Sequence, residues 1–244
     1  MELLYLETVD STNKFAKENL SNIADKTLIY AGVQTAGRGR LNRKWNSNSG
    51  NNLYASIVLK PSKNLKEVYS NLTQYLSLVL AETFEKYLSS ETNIYPKIKW
   101  PNDVRINGKK ISGILAESVI EKGELQGIIL GFGVNLNCSE EDLNKIDQPA
   151  TSLNLEIGME IDREVFLKSI INKFCLRYNK FIEEGFLLIR DDYLRRAEFL
   201  NKTVTVKVFD RDIIGIVKDV TEAGALKLID KDNKEHVLLI GDIL

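Results

Sequence analysis

The chain is poor in the residues that build the commonest catalytic and structural centres. Among its 244 residues there is one histidine, His236, and there are two cysteines, Cys138 and Cys175. Two thiols cannot make a disulfide framework, and with one histidine they cannot complete a four-ligand zinc site. A Ser-His-Asp triad would have to run through His236, whose surroundings, Lys234-Glu235-His236-Val237-Leu238-Leu239, read as the start of a strand. No apolar run approaches the roughly 18 residues of a membrane span. The opening Met1-Glu2-Leu3-Leu4-Tyr5-Leu6-Glu7 carries acids where a secretory signal needs positive charge. An excess of either charge is missing too: 33 basic residues against 34 acidic ones leave a net charge of −1. Nothing global therefore points to nucleic acid or an anionic membrane as partner, and cytoplasm is the expected compartment. Internal repeats, low-complexity segments and long linkers are absent as well.

What is present is enough hydrophobic residue, 43%, for one larger domain and a small one, and two short stretches that carry chemistry. The first is Gly37-Arg38-Gly39-Arg40-Leu41-Asn42-Arg43-Lys44-Trp45. Glycines let a backbone approach a ligand, and the Gly37 and Gly39 amides are expected to face an anion. Arg38, Arg40 and Arg43 add planar forks that match carboxylate and phosphate. The second is Lys99-Trp100-Pro101-Asn102-Asp103, one point charge in a stiff apolar setting. Each stretch has an ordinary reading alone: Gly/Arg runs occur in RNA-binding tails, and Lys99 to Asp103 could be a strand end with Trp100 in the core. Gly131-Phe132-Gly133 lacks the third glycine and following acid of a dinucleotide fingerprint.

Hydrophobic spacing places these stretches. Ser11-Thr12-Asn13 precedes an amphipathic helix at 15–20 and can cap it. Residues 28–33 read as a strand entering the Gly/Arg loop, and 53–59 as another after a polar tract at 46–52. Leu65, Val68, Leu72, Tyr75, Leu76, Val79 and Leu88 predict one long helix over 65–88. Asn107-Gly108 is the dipeptide suited to a type I′ hairpin, between strands at 104–106 and 110–117. A strand at 127–134 follows Lys122-Gly123. Asp162 can cap a second long helix with Val165, Phe166, Ile170, Phe174, Tyr178 and Phe181 on its inner face. From about residue 200, short strands at 203–208, 213–217, 225–229 and 237–240, with a turn at Asp210-Arg211-Asp212, predict a small all-β barrel.

The two motifs, in this order, resemble those of biotin protein ligases, whose pattern is Gly-Arg-Gly-Arg-x-Gly-Arg-x-Trp followed by Lys-Trp-Pro-Asn-Asp. The chain departs from it only at Asn42, a residue type that tolerates a left-handed turn. Asp10-Ser11-Thr12-Asn13, Gln34-Thr35-Ala36, Lys110-Ile111-Ser112-Gly113-Ile114-Leu115, Gly131-Phe132-Gly133-Val134-Asn135, Thr151-Ser152-Leu153, Gly224 and Gly241-Asp242-Ile243 extend the likeness along the chain. The resemblance implies an α+β fold, with a mixed-sheet catalytic domain of the biotin/lipoate ligase type at 1–195 and an SH3-like barrel at 196–244. It also implies the monofunctional type, with no N-terminal DNA-binding domain.

The implied reaction has two steps. Biotin and ATP give biotinyl-5′-AMP, and a lysine of a biotin carboxyl carrier domain then takes the biotinyl group. Lys99 is expected between carboxylate and α-phosphate, with Arg40 as a second catalytic cation. Asp103 is expected to orient the incoming lysine or to help hold Mg²⁺. Biotin is assigned to Ser11, Thr12, Gln34, Gly37, Arg38, Arg40, Trp45, Lys99 and Gly113, and ATP to Arg38, Arg40, Arg43, Lys110 and Asn135. Nucleic acid and membrane are not expected partners, and homodimerisation through a sheet edge is open. The alternatives are a lipoate ligase, sharing fold and chemistry, and a nucleic-acid-binding module using the basic loop.

Overall fold

The computed structural model describes residues 1–47, 51–62, 65–88 and 94–244, so part of the polar tract at 46–52, and residues 63–64 and 89–93 on either side of the predicted 65–88 helix, lie outside the described residues. Strand β1 (Glu2–Val9) leads into helix α1 (Thr12–Glu18), whose first turn is capped by the Ser11 hydroxyl accepting from the Lys14 amide. Then come β2 (Thr27–Gln34) and β3 (Leu53–Leu59), and helices α2 (Leu65–Val68) and α3 (Leu72–Phe84). β4 (Lys97–Lys99), β5 (Asp103–Ile106), β6 (Lys109–Glu121) and β7 (Glu124–Val134) complete a seven-stranded sheet ordered β1-β2-β3-β7-β6-β5-β4. Only β1 and β2 run parallel; each further pair is antiparallel.

The hairpins form where turn chemistry demands. Asn107 and Gly108 take φ of 52° and 74°, and Lys122 and Gly123 take 50° and 82°, the left-handed pairs of type I′ turns. The predicted helix over 65–88 is broken: Tyr69–Asn71 forms a tight 3₁₀ turn between α2 and α3. Asn71 turns its amide instead to Gln74 Oε1 (2.8 Å) and the Ala223 carbonyl (3.0 Å), a tertiary contact that outweighs helical spacing. Short helices α4 (Glu140–Leu143) and α5 (Leu153–Ile157) precede α6 (Arg163–Glu184), capped by Asp162 as expected, and α7 (Arg190–Arg196). The inner stripe of α6 is Phe166, Leu167, Ile170, Phe174, Tyr178 and Phe181; Val165, expected there, is 52% exposed because it falls one position off the stripe.

α3 and α6 cover one face of the sheet and form the main core with β3, which is buried along its length. The other face is covered by α1 over a small cluster of Ala16, Leu20, Ile29, Val58 and Ile129. Beside α1 the side chains shrink to Gly113, Gly131 and Gly133, and that part of the face stays concave.

β8 (Thr203–Val208), β9 (Arg211–Val220), β10 (Leu226–Ile229), β11 (Glu235–Leu238) and β12 (Asp242–Ile243) make an antiparallel sheet ordered β11-β10-β9-β8-β12. Its first reversal is at Phe209-Asp210, with Phe209 at φ 51°, so Arg211 begins a strand rather than sitting in the predicted turn. The last long strand ends at Leu238, not residue 240; Leu239 and Ile240 are exposed. The sheet is tied to the first by Gln74 Nε2 donating to Gly224 O (2.9 Å), and by Arg190 gripping both Asp219 oxygens (2.6 and 2.7 Å). No described helix is long and apolar enough to cross a membrane.

Candidate active site

The concave patch is the floor of a cavity with two chemically different ends. At one end the neutral side chains of Ser11, Thr12, Asn13 and Gln34 gather at the start of α1 and the end of β2. Gln34 Oε1 accepts from the Thr12 amide (2.8 Å), and Gln34 Nε2 donates to Ser47 Oγ (3.0 Å). Asn13 Nδ2 donates to Glu117 Oε2 (2.8 Å) and Leu115 O (3.2 Å). All of these groups except Glu117 and Leu115 are buried.

At the other end cations converge. Lys99 ends β4 directly across from Asp103 on β5, half-buried beside the buried Trp100 ring. Burial pushes the Lys99 ammonium below the ordinary lysine range; Arg105 and Lys110 push the same way, while Asp103 and Glu198 oppose them. Lys110 Nζ lies 2.9 Å from Asp103 Oδ1 as a charge pair, and that buried oxygen receives no aligned hydrogen bond. Arg40 reaches Asp242 of β12 (2.8 Å), Asn102 Oδ1 (3.3 Å) and the Gly241 carbonyl (3.2 Å). Arg38 stands 3.9 Å from Glu117. Burial raises the Glu117 carboxyl, and the Asn13 amide and Lys17 ammonium more than offset this, holding it below the usual carboxylate range.

Between the ends lies a glycine shelf occupied by the Trp45 ring. Gly113 and Gly133 are direct partners across β6 and β7, and the Trp45 indole lies over both. A Cβ on Gly133 would come within 2.3 Å of the indole, so only glycine permits that approach. Trp45 Nε1 is buried with no partner among the described residues, and Lys110 Nζ sits 5.5 Å from the ring centre. Beyond Trp45 and Lys110 a second cavity opens, bounded by Asn135, Lys145, Ile146 and Gln148.

A model of the biotin/lipoate A/B protein ligase family matches residues 5–135. The chain belongs to this family. It is 34% identical over 241 residues to the bifunctional ligase/repressor BirA of Bacillus subtilis, covering 94% of this chain and 73% of that protein. It is 30% identical over 226 residues to the biotin–[acetyl-CoA-carboxylase] ligase of Paracoccus denitrificans, covering 91% and 92%. Among solved structures, the biotin protein ligase of Aquifex aeolicus in complex with biotin and ATP superposes with a TM-score of 0.79 at 31% identity, covering 100% of this chain and 97% of that one.

Against the ligase pattern, the structure brings Ser11, Thr12, Gln34, Arg38, Arg40, Arg43, Trp45, Lys99, Asp103, Lys110 and Gly113 to one cavity. Two predicted residues stand apart from it. Gly37 does not line the cavity: a Cβ there would meet Ser47 Oγ at 2.6 Å and Trp45 O at 2.8 Å, so this glycine serves loop packing. Asn135 lies at the second cavity, its amide donated to Thr151 O (3.0 Å). The Gly39 amide does not face an anion either; it donates to the Arg43 carbonyl (2.7 Å) as the loop folds back on itself. Within that loop Leu41 takes a left-handed φ of 53°. His236 lies in β11, its Nε2 2.7 Å from Asp230 Oδ2 and outside the residues lining this cavity.

Sequence reasoning passed over Asn13, Asn102, Gly131, Gly133 and Asp242 as site residues, although each stands inside a quoted motif. Gln148 carried no signal in the sequence.

Proposed function

We propose that this chain is an ATP-dependent biotin protein ligase that makes biotinyl-5′-AMP and passes the biotinyl group to a lysine of a biotin carboxyl carrier domain. The two-ended cavity carries the reading. A small, uncharged, hydrogen-bonding head fits Ser11, Thr12 and Gln34, its body passes beside the Trp45 indole that rests on Gly113 and Gly133, and its carboxylate reaches the cations. An anionic tail and a neutral polar head are what biotin offers.

In the first step a carboxylate oxygen attacks the α-phosphorus and pyrophosphate leaves. Two unit charges about 4 Å apart repel by roughly 4 kcal/mol at an effective dielectric near 20, so the step needs a cation between them. Lys99 takes that place, desolvated and facing the cavity. Arg40 binds the α-phosphate, Arg38 the carboxylate, and Arg43 and Lys110 the outer phosphates. The adenine occupies the second cavity beside Asn135 and Gln148. Trp45 covers the adenylate and excludes water, protecting a hydrolysable anhydride. In the second step the carrier lysine attacks the acyl carbon, AMP leaves, and Asp103 holds the amine as it loses its proton.

No cluster of three or more metal-ligating side chains exists among the described residues. A Mg²⁺ carried on the triphosphate would take one or two carboxylates and keep water and phosphate as its other ligands. Asp103, now paired through Oδ1 with Lys110 Nζ at 2.9 Å, is the carboxylate that would turn to it, and the ion would supply further charge neutralisation. Residues 1–195 form the catalytic unit and 196–244 an SH3-like unit that contributes Asp242 to the site. The test is biotin-dependent exchange of labelled pyrophosphate into ATP, with lipoate as the control acid. Exchange with biotin alone supports the reading, and exchange with neither acid overturns it.

A further inference from the structure

We infer that Ser56, a fully buried β3 residue that does not line the cavity, is a positioning residue that turns the Thr12 hydroxyl inward and so makes the site demand an N–H donor from its ligand. The inference rests on the ligase reading. Ser56 Oγ lies 2.6 Å from Asn13 Oδ1 and 2.7 Å from Thr12 Oγ1, and Thr12 Oγ1 lies 3.1 Å from Gln34 Oε1. Three oxygen–oxygen contacts are served by two protons, one on each hydroxyl.

The ends of this chain decide where the protons go. Asn13 Nδ2 donates to Glu117 and to the Leu115 carbonyl, so Oδ1 is the end that faces Ser56 and can only accept. Ser56 therefore gives its proton to Asn13, and Thr12 gives its own to Ser56. Gln34 Oε1 already accepts the Thr12 amide, and the contact left without a proton is the longest of the three. Thr12 then meets the cavity with lone pairs only. Gly131, the direct partner of Ser56 across β3 and β7, makes room for this: a Cβ there would stand 2.1 Å from Asn13 Oδ1.

A ureido ring offers two N–H groups to such an acceptor, and the dithiolane of lipoate offers none. Sites built to hydrogen-bond a substrate group reject analogues lacking it far more strongly than a lost methylene would allow. Ser56 thereby sets specificity without touching the ligand.

The experiment compares wild type, Ser56→Ala, Thr12→Val and the double variant in pyrophosphate exchange, using biotin and biotin methylated on each ureido nitrogen. Ser56→Ala should raise the KM for biotin by roughly tenfold, with kcat little changed and the KM for ATP unmoved. It should shrink the penalty of methylation and add nothing in the Thr12→Val background. Additive effects, an undiminished methylation penalty, or biotin and ATP constants shifting together would overturn the inference. Should the alanine variant misfold, Ser56→Cys, close in size and a poor hydrogen-bonder, carries the same expectations. Absence of exchange in the wild type would instead sink the ligase reading itself.

Discussion

Replacing Lys99 by methionine keeps most of the length of the side chain and removes its charge. The cation is set between a carboxylate and a phosphate, whose repulsion at about 4 Å is roughly 4 kcal/mol at an effective dielectric near 20 and only about 1 kcal/mol in bulk water. Lys99 is half-buried and flanked by Trp100, itself 2% exposed, so the first value is the closer one. Since about 1.4 kcal/mol is a factor of ten in rate, biotin-dependent pyrophosphate exchange should fall by about 10³. Stability should move the other way. Burial disfavours the charged form of Lys99 in the folded protein, a penalty fully present below the depressed pKa and gone once pH exceeds the ordinary lysine value. Lys99→Met removes that penalty, so at neutral pH the thermal midpoint should hold or rise while activity collapses. In the wild type, an arriving anion restores the ammonium. Anion affinity should therefore fall as pH rises above the depressed Lys99 pKa, earlier than for an ordinary lysine. A loss of activity below about fivefold, the bulk-water value, or a parallel fall in thermal midpoint, would refute this account of the cation.

Three further perturbations test other parts of the site. Gly133→Ala places a Cβ within 2.3 to 2.5 Å of three indole atoms, so Trp45 must leave the shelf; the KM for biotin should rise more than about tenfold, and the fluorescence of a protein with only two tryptophans should report the displacement. An unchanged emission spectrum would mean the indole does not rest there. Asp242→Asn frees Arg40 from its carboxylate while leaving Asn102 and the Gly241 carbonyl, so the ligand must order the guanidinium itself; ordering one such side chain costs about 1 kcal/mol, a several-fold rise in the KM for ATP. Equal KM values for the two proteins would remove Asp242 from the site. Gly224→Ala combines φ of +80° with a Cβ 2.1 Å from Asn71 Nδ2, and should cost about 2–3 kcal/mol in denaturant unfolding; a loss under about 0.5 kcal/mol would show that the contact between the two sheets yields easily.

Much of the site was legible because its residues cluster in short motifs. Strands flanking Asn107-Gly108, the Asp162 cap and the strand at 53–59 followed from local chemistry, as did the resemblance that named the cations. The errors have a common cause. The helix over 65–88 broke at Asn71 because that side chain serves a turn more than 150 residues away, which helical periodicity cannot register. Gly37 and Gly39 read as anion-facing glycines because glycine signals close approach without saying to what; one approaches Ser47 and the other's amide closes the loop. Val165 missed the core by a single position on a stripe whose other members were correct.

The α+β class, most strands and turns, the family, and the cations gathered in two motifs were readable along the chain, because these depend on local conformational preference and on residue order. What each of those residues faces emerges from the folded molecule. Strand register set Gly113 opposite Gly133 and Ser56 opposite Gly131, and packing of the second sheet brought Gly241, 201 residues along the chain, and its neighbour Asp242 to Arg40. Register and packing arise from contacts summed over the whole molecule, so no short stretch of residues contains them.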